Sequence, residues 1–231
     1  FARPDSVVNG RSVYEVRKRM GRRLAQESAP PCDVVVPVPD SGVPAALGYA
    51  QETGVPYEMG IMRNRYVGRT FIQPTQGARE LGVRMKLSPN RAVLAGKRVM
   101  LIDDSIVRGT NSLRVVRMVR EAGAKEVHLR SGSPPIMWPD FYGIDMPERA
   151  QLLAANKSLE EMAKMLEVDS LGFLSVDGLY WAMESDPRDP AAPQFTDHYF
   201  TGDYPTRLLD REIAEGRNAA DERQLTFLVD A

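Results

Sequence analysis

Apolar residues recur at Val13, Val16, Met20 and Leu24, the spacing of one helical face, and predict a helix over 12–26. Arg17, Lys18, Arg22 and Arg23 fall mostly on other faces and read as a solvated surface. The period then changes. Asp33–Val38 is a short, β-branched apolar run, the pattern of a buried strand. Pro39-Asp40-Ser41-Gly42 breaks it, and Val43–Gln51 reads as a helix with Pro44 in its first turn. Gly54 and Pro56 end that unit, and Tyr57–Met62 is a second strand candidate. Arg98–Ile102 is the next strand. Thr110–Glu121 follows as a helix, with Leu113, Val116 and Val119 inward and Arg114, Arg117 and Arg120 outward. Gly123 ends it, and Glu126–Leu129 returns as a strand. This alternation predicts an α/β fold with a mostly parallel sheet and right-handed crossovers.

Two stretches depart from that rhythm. Residues 64–90 hold few apolar positions, early arginines at Arg65 and Arg69 just after Arg63, and a Gln-Pro-Thr-Gln-Gly break. A loop of that length in a compact domain is functional or simply a mobile surface segment. Ser133–Pro147 is rich in proline and aromatics and irregular. Ser158, with Glu161 three residues on, caps a short amphipathic helix carrying Leu159, Met162, Ala163 and Leu166 on its inner side. After Met183 the composition shifts to a Pro- and Asp-rich linker. The sequence thus divides into a domain over 1–183 and a C-terminal extension over 184–231, within which Arg217–Gln224 reads as disordered.

With 231 residues, 43% hydrophobic and 26% charged, the chain can bury a sizeable core. A net charge of −1 implies no general attraction to nucleic acid or to an anionic membrane. No apolar run approaches the roughly 20 residues that span a bilayer. The single cysteine, Cys32, excludes an internal disulfide and a multi-cysteine zinc site, reads as a small apolar filler, and points to a reducing, cytoplasmic compartment. The opening Phe-Ala-Arg-Pro-Asp-Ser reads as the middle of a longer protein.

The candidate chemistry concentrates in Val99–Thr110, VMLIDDSIVRGT. A buried strand ends in two carboxylates, Asp103 and Asp104, and a short loop then opens a helix at Gly109-Thr110. Helix N-termini offer backbone N–H groups to phosphates, and the carboxyl ends of parallel strands are where open α/β sheets bind ligands. The acids can accept hydrogen bonds from ribose hydroxyls or hold a hydrated Mg²⁺. Together they suit a sugar phosphate. Val38-Pro39-Asp40-Ser41-Gly42 repeats strand, tight turn and helix start, and reads either as an anion-holding nest or as an ordinary turn. His128 lies in a strand pattern and reads as structural, and His198 has no partner motif.

The segment DDSIVRGT resembles the phosphoribosylpyrophosphate (PRPP) binding motif of the type I phosphoribosyltransferases. With YVGRTFIQP upstream and FYGIDMP downstream, the pattern is similar to that of the glutamine PRPP amidotransferases, from Phe1 to about Gly178 and more loosely through FTGDYPT. The resemblance implies a type I core, a twisted, mostly parallel sheet flanked by helices, with a small hood and a C-terminal extension. It implies formation of 5-phosphoribosylamine and pyrophosphate from PRPP and ammonia, the first step of purine biosynthesis, with Mg²⁺. It also implies an upstream glutaminase domain that supplies ammonia from glutamine, purine nucleotides as feedback inhibitors, and a homo-oligomer.

Residue by residue, the resemblance assigns Asp103 and Asp104 to ribose and metal. It assigns Ser105, Ile106, Val107, Arg108, Gly109 and Thr110 to the 5-phosphate. Asp40, Ser41 and Gly42 fall to the pyrophosphate, with Ser41 joining Asp103 and Asp104 at the metal. Residues 63–82 become a flap over the site, hinged at Gly68, Gly77 and Gly82. In it Arg65 and Arg69 neutralise the leaving pyrophosphate and Tyr66 packs above. One branch of these enzymes carries a [4Fe–4S] cluster on cysteines. Three of those positions are Asp140, Thr196 and Tyr199 here, so no iron–sulfur cluster is expected and packing or polar contacts take its place. Two other readings remain: a salvage phosphoribosyltransferase acting on a free purine base, and a non-catalytic protein that binds PRPP or nucleotides as a regulator.

Overall fold

The computed structural model describes residues 2–64, 87–144 and 148–208. Its centre is a four-stranded parallel sheet in the order β3 (Val34–Pro37), β6 (Arg98–Asp103), β7 (Glu126–Ser131), β8 (Ser170–Phe173). Side chains alternate across the two faces. Val34, Val36, Val99, Leu101, Val127 and Leu129 share one core with Val115, Val116 and Val119 of a helix over Thr110–Glu121. Val35, Met100 and Ile102 share the other with Leu24, Ala46 and Tyr49 of helices α1 (Val13–Glu27) and α2 (Val43–Thr53). Between them in sequence lies a single helical turn, α3 (Arg91–Leu94), so the Thr110–Glu121 helix is α4.

The chain begins in a small hairpin, β1 (Val7–Val8) and β2 (Arg11–Ser12), turned at Asn9-Gly10, where both residues have positive φ. Ser12 then caps α1, its Oγ accepting from the Glu15 amide. Helices α1 and α2 meet backbone to backbone. A Cβ on Gly21 would lie 1.8 Å from the Ala45 carbonyl oxygen, and one on Gly48 would lie 1.9 Å from that of Lys18.

Short helical elements fill the connection from β7 to β8 and the chain beyond it. The 3₁₀ turn Arg149–Gln151 leads into α5 (Leu153–Asn156), and α6 (Leu159–Met165) precedes β8. Then come α7 (Val176–Ala182) and α8 (His198–Thr201). The capping box at Ser158 and Glu161 is formed in both directions, at 3.2 and 2.8 Å.

Several expectations change. Leu159 does not face inward: it is 51% exposed, and Met162 and Leu166 are the residues of that segment that enter the core. The strand expected over 57–62 is confined to β4 (Ile61–Arg63), with Tyr57 making one bridge to Val35. β4 pairs antiparallel with β5 (Leu87–Pro89), so the segment expected as one long loop starts and ends in a two-stranded ribbon outside the main sheet. β7 runs past Leu129 to include Arg130 and Ser131. Arg130 is 2% exposed and directs its guanidinium to the carbonyls of Leu129 and Ser28 and to Ser170 Oγ. Its neighbour on β8 is Gly172, where a Cβ would lie 2.8 Å from Arg130 Cδ. The glycine makes room for the buried cation.

Candidate active site

Strands β3 and β6 are parallel neighbours with Pro37 opposite Ile102, so the turns that follow them emerge side by side. The Val38 amide donates to the Ile102 carbonyl at 2.8 Å, and the Gly42 amide donates to the Val38 carbonyl at 3.0 Å. Gly42 is buried in this seam, where a Cβ would lie 2.3 Å from the Ile102 oxygen. The Pro39–Asp40 peptide is cis. Asp40 is exposed and Ser41 half-buried.

On the β6 side, Asp103 is 9% exposed and Asp104 half-buried. Each carboxylate accepts the next backbone amide: Asp103 Oδ1 from Asp104 at 2.9 Å, and Asp104 Oδ1 from Ser105 at 2.9 Å. Burial, and then the adjacent charge of Asp104, pushes the Asp103 carboxyl well above its ordinary range. Two hard-oxygen groups side by side suit a hydrated Mg²⁺, whose charge would favour their ionised forms. Such an ion takes one or two protein carboxylates and fills its remaining positions with water and phosphate oxygens.

The turn 105–110 is built mainly from backbone. Ile106 is expected at the substrate, yet its side chain is sunk in the core, so only its main chain faces the turn. Gly109 has φ +77°, and a Cβ there would lie 2.7 Å from Leu153 Cδ2. The Leu153 amide donates to the Val107 carbonyl at 2.9 Å. Arg108 donates to Gln151 at 3.1 Å, and Thr110 opens α4 on the surface. Helices α1, α6 and α7 are capped by serine side chains. In contrast, α2 and α4 start from Gly42 and Gly109 with no side-chain cap. Their first-turn N–H groups and positive dipole ends are therefore directed at whatever occupies the two turns.

Two contacts escaped the sequence reading. Gly132, at the end of β7, donates its amide to the Asp103 carbonyl at 2.8 Å, and a Cβ there would lie 3.4 Å from that oxygen. The only signal for it is a Ser-Gly-Ser-Pro-Pro run directly after a strand pattern. Arg63, at the end of β4, pairs with Asp40 at 2.5 Å with both side chains about half exposed. Arg65, Tyr66 and Arg69, together with the rest of the flap beyond Asn64 and Arg217–Gln224, lie outside the described residues.

Asp140 and Tyr199 meet away from the strand ends. The Asp140 side chain is 1% exposed and accepts from His198 Nε2 and the Tyr199 hydroxyl on Oδ1, at 3.0 and 2.9 Å. Its Oδ2 accepts from the amides of Tyr142 and Ile144, at 2.9 and 2.8 Å. Burial alone would raise this carboxyl. The donors, led by the Ile144 and Tyr142 amides, outweigh it and hold the group below its ordinary value. The same burial, then Asp140, pushes the Tyr199 hydroxyl up to about 12. His198 therefore has a partner, contrary to the sequence reading, while Thr196 is exposed.

Residues 12–130 match the phosphoribosyl transferase domain. The chain belongs to the phosphoribosyltransferase family. This phosphoribosyltransferase chain is 65% identical over 212 residues to the amidophosphoribosyltransferase of Rhizobium etli, covering 91% of this chain and 43% of that protein. It is 56% identical over 213 residues to that of Methanocaldococcus jannaschii, covering 92% and 44%. Among solved structures it is similar to the glutamine PRPP amidotransferase of Bacillus subtilis complexed with ADP and GMP. There the TM-score is 0.82 and the identity 54%, over 90% of this chain and 46% of that one. The chain thus spans less than half the length of these relatives. Among the described residues, no helix is long and apolar enough to cross a membrane.

Proposed function

We propose that this chain is the phosphoribosyltransferase part of a glutamine PRPP amidotransferase, forming 5-phosphoribosylamine and pyrophosphate from PRPP and ammonia in purine biosynthesis. The observation that carries the reading is the pair of uncapped, glycine-started helices flanking Asp103 and Asp104 at adjacent strand ends. A ligand with an anion at each end and hydroxyls between them matches that layout.

In this reading the 105–110 turn binds the 5-phosphate through backbone N–H groups and the Thr110 hydroxyl. Asp103 and Asp104 accept hydrogen bonds from the ribose hydroxyls. The 40–42 turn binds the pyrophosphate. Asp103, Asp104 and Ser41 hold Mg²⁺, which neutralises pyrophosphate charge when bound. Charge develops on the ribose ring as pyrophosphate leaves, and the anionic pair beneath the ring stabilises it. Arg65 and Arg69 neutralise the leaving group and Tyr66 excludes water above it. No side-chain base is required when ammonia arrives unprotonated, so positioning supplies most of the rate. Ammonia comes from glutamine on an N-terminal glutaminase domain. Purine nucleotides inhibit by presenting their own ribose 5-phosphate to the same turn. The assembled enzyme is a cytoplasmic homo-oligomer without an iron–sulfur cluster, in which the Asp140–Tyr199–His198 contacts hold the C-terminal segment.

Pyrophosphate release from PRPP tests the reading, run with ammonium, with adenine or guanine, and with no acceptor. Release with ammonium alone is expected. Release with a purine base would establish the salvage reading, and no release under any condition would leave the regulatory one.

A further inference from the structure

The 105–110 turn is held from below by the segment 148–156. The Leu153 amide binds the Val107 carbonyl at 2.9 Å, Leu153 packs beneath Gly109, and Gln151 takes the Arg108 guanidinium. This segment is two single helical turns, the 3₁₀ turn Arg149–Gln151 and α5. It is folded around the Arg149 carbonyl, which accepts the Leu152 amide at 3.1 Å and Asn156 Nδ2 at 2.9 Å.

The Arg149 side chain reaches in the opposite direction. Its guanidinium stacks on the Trp138 ring, 3.9 Å from the centroid, and its Nε donates to the Met137 carbonyl at 3.3 Å. Met137 and Trp138 are themselves fixed by α8. Both amides donate to the Tyr199 carbonyl, at 2.8 and 3.1 Å, and the Trp138 ring lies against Gly202, where a Cβ would come within 2.7 Å.

We infer that Arg149 is a positioning residue for the 105–110 turn, joining it through Leu153 to the C-terminal segment around Tyr199 and Gly202. Arg149 is exposed, and its side-chain contacts run to Trp138 and Met137 rather than to the turn. Its planar guanidinium bridges the segment 148–156 to Met137 and Trp138. The inference rests on the assignment of that turn to the 5-phosphate.

The test uses the full-length protein. In R149A, the KM for PRPP and the inhibition constant of ribose 5-phosphate should rise together about three- to tenfold, the effect of losing one surface stack and its hydrogen bond. The inhibition constant of pyrophosphate and kcat should stay within about twofold of wild type, because the other turn is untouched. R149K keeps a cation over the ring and should fall between. W138L should reproduce R149A, and the double variant should be no worse than either single one. Amide exchange at 106–110 in the unliganded protein should accelerate in R149A. An unchanged KM for PRPP, an equal rise for pyrophosphate, additive effects in the double variant, or unchanged exchange at 106–110 would each overturn the inference. Wild-type protein that fails to consume PRPP would instead overturn the proposed function, and the exchange measurement would still decide the link between Arg149 and the turn.

Discussion

Replacing Gly109 by alanine tests how the phosphate turn is built. The backbone there has φ +77°, a region where a Cβ costs about 1–2 kcal/mol. The new methyl would also sit 2.7 Å from Leu153 Cδ2. That atom is the end of a side chain, so Leu153 can rotate away at a cost of about 0.5–1.5 kcal/mol for an off-rotamer position. Together these give a loss of about 1.5–3.5 kcal/mol, or roughly 3–14 °C in Tm for a chain of this size. Alternatively the turn relaxes by swinging Gly109 out of the left-handed region. Stability is then largely recovered and the KM for PRPP rises instead.

Thermal denaturation and PRPP kinetics together measure both routes. Asparagine tolerates positive φ better than alanine while placing the same Cβ against Leu153, so G109N should lose less than G109A. The double variant G109A/L153A should be less damaged than the sum of its singles, because the clash is gone. Wild-type stability and KM in G109A would refute the argument. A G109N variant worse than G109A would show that contact, rather than φ, is the limiting cost.

Other substitutions should separate binding from folding. Asp103→Asn should lower kcat/KM about 10- to 150-fold, the loss of one charge-assisted contact of about 1.5–3 kcal/mol, while raising the Tm of the unliganded protein by removing a buried charge beside Asp104. A lower Tm would contradict the burial argument. Burial, then the Arg130 charge, lowers the His128 pKa from 6.5, against the smaller opposing pull of Asp169 and Glu126. The unfolded chain thus binds the extra proton first, so urea stability should fall as pH drops below about 6.5. His128→Gln should flatten that slope. Asp140→Asn leaves at least two of four donors facing an amide group instead of an acceptor and should cost about 2–5 kcal/mol, read by Tm.

Where neighbours in sequence are neighbours in space, the chain was easy to read. Helix α4 runs from Thr110 to Glu121 as its arginine–valine period requires, and the Ser158–Glu161 box forms as written. The two turns with their acids and glycines were also visible, because few residue types can fill those positions. The edge strand β8 was not, since Ser-Leu-Gly-Phe is short and interrupted by glycine. Its Gly172 explains a second miss. Arg130 looked like the end of an apolar run, and only the partner strand shows that a buried guanidinium fits there. The β4–β5 ribbon and the Asp140–His198 pair join residues far apart in the chain, which local periodicity cannot reveal.

The division has a physical basis that bears on how the site will respond to substitution. A turn that binds anions through backbone N–H groups needs glycine and small polar residues, a rare combination that stands out in any sequence. The same turn has no rigidity of its own. Val107 is held by the Leu153 amide, Asp103 by Gly132, and the segment that carries Leu153 by Arg149 and Trp138. Leucine, arginine and tryptophan occur everywhere and announce nothing. Yet a displacement of about 1 Å in a positioning element can cost about a hundredfold in rate when catalysis rests on placement. Sensitivity to substitution should therefore extend beyond the recognisable motif, along 132–140 and 149–153, and fade on the solvated faces of α1 and α4. A scan in which activity depends on the motif alone, with these supports neutral, would mean that the turns organise around their ligand and need no scaffold.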